Sequence, residues 1–179
     1  MVYLFLADGF EEIEALTPID MLRRAGIEVT SVSINKTPLV TGAHGINVIA
    51  DKVIDYVSAV DIDAVILPGG LPGADNLRAN SKVGEFIDKA ADEGKYVCAI
   101  CAAPRILGEK GLLKGKKAIC YPGFEQYLDG AEIVDTGCVV DGNIITSKGM
   151  GKAADFSLAI IEVLKDKETA ERIKNSIFA

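Results

Sequence analysis

Cys101 closes the apolar run Tyr96–Ile100 and opens a stretch of helical pattern at 102–110, which Gly111 ends. A strand that passes straight into a helix puts the connecting residue on a sharp turn, with its side chain exposed at the sheet edge. Serine hydrolases place their nucleophile in this way. The free N–H groups and partial positive charge of a helix start favour thiolate over thiol, and the same N–H groups could hold an oxyanion. A buried, inert cysteine is the competing reading. Cys98 and Cys101 have C-x-x-C spacing, but Cys98 falls inside the apolar run, and Cys120 and Cys138 are isolated. That pattern speaks against a redox dithiol or a zinc site and assigns Cys98 to the core.

The carboxylates Glu11, Glu12 and Glu14 follow the apolar run at 2–7. One or two of them read as solvated first-turn groups that complement a helix dipole. Glu14 is different if it approaches Cys101, because an ionised carboxylate beside a thiolate raises both pKa values. A protonated Glu14 that donates a hydrogen bond to the sulfur resolves the conflict and could serve acid–base chemistry. The single histidine, His44, lies in Thr41-Gly42-Ala43-His44-Gly45 and reads equally as a surface loop residue or a functional one. No histidine follows Cys101, which argues against a conventional cysteine protease or glutaminase. Gly69-Gly70 suits either a close backbone approach or an ordinary turn. Neither a G-x-G-x-x-G nor a P-loop pattern is present, and Gly149-Met150-Gly151 reads as a turn.

The elements that must position these groups alternate along the chain. Apolar runs predict strands at 2–7, 27–34, 46–50, Ala64–Leu67, Tyr96–Ile100 and 117–120. Helical spacing predicts helices at 11–25, 81–93 and Ala153–Leu164, with a charged helical tail over 165–179. Pro18 implies either a kinked first helix or a turn with Thr17 as cap. Residues 139–145 read as a hairpin, with Asp141-Gly142 or Gly142-Asn143 in its turn. This order predicts one α/β domain over 1–179, a mostly parallel sheet with helices on both faces. Sites in such sheets gather at the carboxyl ends of the strands. The segments 7–14, 68–73 and 101–104 would then converge if their strands are neighbours.

Length and composition narrow the function. The chain has 179 residues, 49% of them apolar and 25% charged, which suits a globular domain that needs no disulfides. A net charge of −7 disfavours nucleic acid and anionic membranes, and the absence of Trp removes the best base-stacking side chain. No run approaches the ~20 apolar residues of a membrane span. The first residues lack a basic segment and turn acidic at Asp8, so a cytoplasmic protein with reduced thiols is expected.

Ala7-Asp8-Gly9-Phe10-Glu11-Glu12-Ile13-Glu14, Arg23-Arg24-Ala25-Gly26, Leu67-Pro68-Gly69-Gly70, Ala99-Ile100-Cys101-Ala102-Ala103-Pro104 and Thr146-Ser147-Lys148-Gly149 occur in that order. Together they resemble the ThiJ/PfpI superfamily, in particular the branch containing the parkinsonism-associated protein deglycase and bacterial ThiJ-like proteins. The resemblance runs from residue 2 to about 165. It implies a flavodoxin-like three-layer sandwich with a small β-hairpin, a homodimer and no cofactor. It makes Cys101 the nucleophile and Glu14 its protonated neighbour, with Gly70 and Ala102 as oxyanion N–H donors. Arg24 matches a residue that reaches across the dimer. The implied activity is glyoxalase III-like or deglycase-like processing of a small aldehyde or glycated substrate. The alternative is a peroxide sensor or redox-regulated chaperone that uses the same cysteine without turnover. The sequence departs from the family at several positions. Ala102 replaces the His of the protease-like branch, and Ala103 replaces a common Gly. Tyr121 stands where close relatives carry a His, and His44 falls near an Arg of some relatives. Tyr121 and His44 are therefore the candidate proton shuttles.

Overall fold

Continuous aliphatic runs form the strands that are buried on both faces, and amphipathic segments form the helices that cover them. The computed structural model describes residues 1–179. In chain order the elements begin with β1 (Val2–Leu6), α1 (Glu12–Arg24), β2 (Val29–Ser33), β3 (Leu39–Thr41), β4 (Asn47–Ile49) and β5 (Lys52–Val53). Then come β6 (Ala64–Leu67), α2 (Gly73–Ala79), α3 (Ser81–Asp92), β7 (Tyr96–Ile100) and α4 (Pro104–Glu109). The last are β8 (Lys117–Ala118), β9 (Glu132–Ile133), β10 (Cys138–Asp141), β11 (Ile144–Ser147), α5 (Ala153–Leu164) and α6 (Lys167–Ser176).

The main sheet runs β10-β11-β7-β6-β1-β2-β5, parallel except where β10 meets β11. Its parallel centre, β2-β1-β6-β7-β11, has the 2-1-3-4-5 order of flavodoxin-like folds. Alternate side chains of β1 enter opposite cores. Leu4 and Leu6 pack with Met21 and Leu22 of α1, Phe156 and Ile160 of α5, and Ile173 of α6. Tyr3 and Phe5 pack with Leu77 of α2, Phe86 and Ile87 of α3, and Ile106 of α4. Two further short sheets, β3–β4 and β8–β9, lie outside the main one.

Several local choices differ from the expected reading. Helix α1 continues through a buried Pro18, so the kinked-helix alternative is closer than a Thr17-capped turn. Pro18 has no N–H to give to the Glu14 carbonyl one turn back. The strand expected at 117–120 ends at Ala118, because the Ile119 N–H is taken by Thr146 Oγ1 at 3.0 Å. The register Asp141↔Ile144 puts Gly142-Asn143 in the hairpin turn, with Gly142 at φ +60°. This hairpin is not an appendage, since all of β11 is buried and pairs with β7. Helix α2 had no strong sequence signal, being seven residues with a glycine start. The 46–50 segment forms β4, which pairs with β3 and leaves the main sheet. Its hairpin is tied to the β1–α1 turn by Gly9 N–H to Thr41 O and Ala43 N–H to Phe10 O, both at 2.8 Å. No helix is long and apolar enough to cross a membrane.

Phe5 is fully buried, with its ring edge-on to Phe86 at 5.0 Å between centroids. Phe5→Ala is expected to cost about 3–5 kcal/mol of unfolding free energy, read as a lower urea midpoint with unchanged slope.

Candidate active site at the carboxyl edge of the sheet

Strands β1, β6 and β7 are neighbours, so the segments that follow them meet, as the sequence predicts. Cys101 leaves β7 at φ +64°, a left-handed conformation that costs a non-glycine residue about 1–3 kcal/mol. Neighbouring segments hold it there. Its N–H donates to Ser147 O of β11 at 2.9 Å, and its carbonyl accepts from Tyr121 N–H at 2.8 Å. Helix α4 starts only at Pro104, so no helix begins directly beneath the sulfur. Instead the backbone N–H groups of Ala102 and Gly70 hydrogen-bond the Cys101 sulfur.

Gly69 and Gly70 serve close approach and are not an ordinary turn. A Cβ on Gly69 would lie 2.6 Å from both Cys101 Cβ and Glu14 Oε2. Gly70 has φ +87°, and a Cβ there would lie 2.4 Å from Glu11 N. Side chains at either position would push the donor loop off the sulfur.

Glu14 is 1% exposed. Glu11 caps α1, its Oε2 accepting the Glu14 N–H at 2.7 Å. The Glu14 carboxyl accepts from Gly69 N–H at 2.9 Å and from the Met150 N–H, and it hydrogen-bonds the Cys101 sulfur. Burial pushes Glu14 up to about 7. Cys101 is pushed up to about 12 by burial and then by the Glu14 charge, against the Ala102 and Gly70 N–H groups. The expected thiolate-favouring environment is therefore corrected: while Glu14 is ionised, the sulfur holds its proton. The first proton leaves the pair near neutrality, and one proton then remains between the Glu14 carboxyl and Sγ. A thiolate beside neutral Glu14 has the same charge as a thiol beside the carboxylate. The two forms differ only in which end of the hydrogen bond carries the proton.

The other candidates lie around this pair. The Tyr121 ring stands beside Gly149, where a Cβ would lie 3.4 Å from Tyr121 Cδ2 and 3.8 Å from Glu14 Oε1. Tyr121 thus walls the carboxyl while remaining half-exposed. Behind it, Arg105 bonds Asp75 and sits over Phe124, with its guanidinium carbon 5.5 Å from the ring centroid. That contact ties α4 to α2 and to the segment carrying Tyr121. His44 bonds neither Cys101 nor Glu14; its Nδ1 lies 2.7 Å from Glu12 Oε2. Glu12, one of the three acids among which one or two solvated first-turn groups are expected, is 2% exposed. Arg24 lies on the outer face of α1 with its Nε 2.6 Å from Asp20 Oδ2, away from its own chain's sulfur. Cys98 is fully buried in the core, and burial raises its thiol.

The sequence reading missed the Gly69 and Met150 N–H donors, the Ser147 carbonyl and the burial of Glu12. A backbone donor leaves no trace in residue type. The only available signal was the pair of glycine-containing stretches at 69–70 and 149–151.

The DJ-1/PfpI family profile matches residues 1–163. The chain is 37% identical over 178 residues to protein DJ-1 homolog B of Arabidopsis thaliana, covering 98% of this chain and 41% of that one. It therefore spans less than half the length of that relative. It is also 37% identical over 168 residues to deglycase PfpI of Pyrococcus furiosus, covering 92% of this chain and 100% of that one. The structure of oxidized Toxoplasma gondii DJ-1 superposes with a TM-score of 0.95 at 38% identity, over 99% of this chain and 97% of that one.

Raising Glu14 from 4.5 to about 7 on folding makes stability depend on pH. The folded state binds this proton more tightly than the unfolded chain does. The contribution is full below pH 4.5, falls by about 1.4 kcal/mol per unit, and is gone above pH 7, about 3 kcal/mol in all. Urea unfolding across that range is expected to show wild type losing this stability relative to Glu14→Gln, which has no such titration.

Proposed function

The chain belongs to the DJ-1/PfpI family, and we propose that it is a cofactor-free enzyme that processes reactive α-oxoaldehydes or their adducts in carbonyl-stress defence. The observation that carries this reading is the hydrogen-bonded pair of Cys101 and Glu14 beside the N–H groups of Gly70 and Ala102. Sγ adds to the aldehyde carbon while Glu14 gives its proton to the carbonyl oxygen, producing a hemithioacetal and a carboxylate. Gly70 and Ala102 hold that oxygen while it is negative. The carboxylate then takes the C–H proton, and its return to the adjacent carbon gives a thioester of a 2-hydroxy acid. Water releases the acid and restores the thiol. Relatives named as deglycases support enzymatic turnover.

In this reading the chain acts as a homodimer. Ile13, Asp20 and Arg24 form one exposed stripe on α1, and Arg24 would turn from Asp20 toward the partner's site. Light scattering is expected to give twice the chain mass.

A second reading has its own observation. Cys101 is half-buried beside the Gly70 and Ala102 N–H groups, Cys138 is half-buried on β10, Cys98 and Cys120 are buried, and a structural neighbour is an oxidized DJ-1. The same sulfur would then act as a peroxide sensor or switch a chaperone, moving to sulfenate and sulfinate.

Methylglyoxal consumption with lactate detection separates the two. Wild type is expected to form lactate and Cys101→Ser to form none, with both folded by circular dichroism. Glu14→Gln is expected to lose far more turnover than alkylation rate. Lactate from Cys101→Ser overturns the enzymatic reading. Absence of lactate from reduced wild type, with peroxide oxidising Cys101 ahead of the other thiols, replaces it with the sensor.

A further inference from the structure

We propose that Glu12 is the positioning residue of a Glu12–His44 dyad, which fixes the imidazole with Nδ1 protonated and presents Nε2 as the second proton carrier at the rim of the Cys101 site. The inference rests on the enzymatic reading above and assigns that reaction the acid–base group it still needs.

Glu12 spends both carboxyl oxygens on one residue. Oε1 accepts the His44 backbone N–H at 2.7 Å, and Oε2 faces Nδ1 at 2.7 Å. A carboxylate only accepts, so Nδ1 carries the hydrogen and Nε2 is the nitrogen left to exchange protons. The two side chains are built for different tasks: the Glu12 side chain is buried and that of His44 is 70% exposed. The hairpin between β3 and β4 is shaped around the carboxylate. A Cβ on Gly42 would lie 2.3 Å from Glu12 Oε1, and Gly42 bridges in parallel with Phe10. With Ala43 also bonded to Phe10, both the ring and the backbone of His44 are fixed.

Glu11 joins this dyad to the reacting sulfur. Its N–H donates to Gly69 O at 2.9 Å, and its carboxyl caps the Glu14 N–H. One of its carboxyl oxygens lies within 4.8 Å of ligand atoms of both Glu12 and His44. His44 therefore stands on the same rim as the Gly69-Gly70 loop, facing Glu11 and Glu12. Those two acids raise the imidazole pKa, and His44 in turn lowers that of Glu12.

The chemistry calls for such a group. After hemithioacetal formation the Glu14 carboxylate removes the C1 proton, while imidazolium Nε2–H gives its proton to the C2 oxygen, forming an enediol. Protonated Glu14 then returns its proton to C2, and Nε2 takes the proton from the C1 hydroxyl as the thioester carbonyl forms. Both residues end in the states in which they began, and no oxidant or reductant is consumed.

The test pairs ¹⁵N NMR of His44 with methylglyoxal kinetics. Wild type is expected to show an Nδ1–H tautomer and a pKa above 6.5. Glu12→Gln leaves one acceptor for two donors and is expected to lower that pKa and mix the tautomers. His44→Gln, at an exposed position, is expected to reduce kcat by about 10²-fold or more, with the Cys101 alkylation rate unchanged. Glu12→Gln is expected to lower kcat in the same direction, and the double variant to be no worse than His44→Gln. An Nε2–H tautomer in wild type, or lactate formation with kcat unchanged in His44→Gln, overturns the dyad alone. Wild type that makes no lactate overturns the reading beneath it and the dyad's catalytic role together, while the tautomer measurement still reports the geometry.

Discussion

A carboxyl and a thiol buried against each other cannot both ionise, and the rest of the site is arranged around the one proton they keep. Glu14 alone in that position would be a buried acid with a raised pKa, and Cys101 alone a reluctant thiol. Together they form a hydrogen bond whose proton can sit at either end without changing the charge of the site. Gly69 and Met150 donate to the carboxyl, and Gly70 and Ala102 to the sulfur. The two ends are thus stabilised by separate sets of fixed dipoles, which is the preorganised setting in which small displacements of charge cost little.

Those dipoles come from different parts of the chain, and the sheet order brings them together. The Gly69-Gly70 loop follows β6, Cys101 follows β7, and the stretch bearing Met150 follows β11, while α1 supplies Glu14 from the end of β1. A parallel order places all these exits on one edge. The positive φ of Cys101 is held between Ser147 and Tyr121. Strain of this kind persists only where neighbours over-determine the conformation. Here the strained residue is bonded to two other segments.

The alternation of apolar runs and amphipathic helices made the α/β architecture legible, because strands buried on both faces read as mainly apolar runs. Cys101 and Glu14 were legible for a chemical reason: few structural roles require a cysteine at a strand end or a carboxyl facing it. The short strands β3, β5 and β9 were harder to read, since two or three residues carry no period. Glu12 shows a deeper limit. Its type and its neighbours suggest a solvated helix start, and only the tertiary return of the 41–46 loop buries it. Likewise, a helix dipole beneath Cys101 was a reasonable inference from spacing. The chain instead makes a turn through Ala102 and Ala103 before Pro104 opens α4.

The β3–β4 hairpin joins the rest of the molecule through the turn after β1 and through Val40, buried in the same core as Leu4 and Leu6, and none of its residues belongs to the ladder that aims the nucleophile. The molecule is thus divided into a ladder that aims the sulfur and a hairpin that carries His44 to the rim. Substitutions between β3 and β4 that spare Gly42 and His44 leave the register of β1, β6 and β7 as it is, so the rest of the rim facing a substrate can diversify without retuning the sulfur. A scaffold with that separation supports divergence of specificity within one lineage.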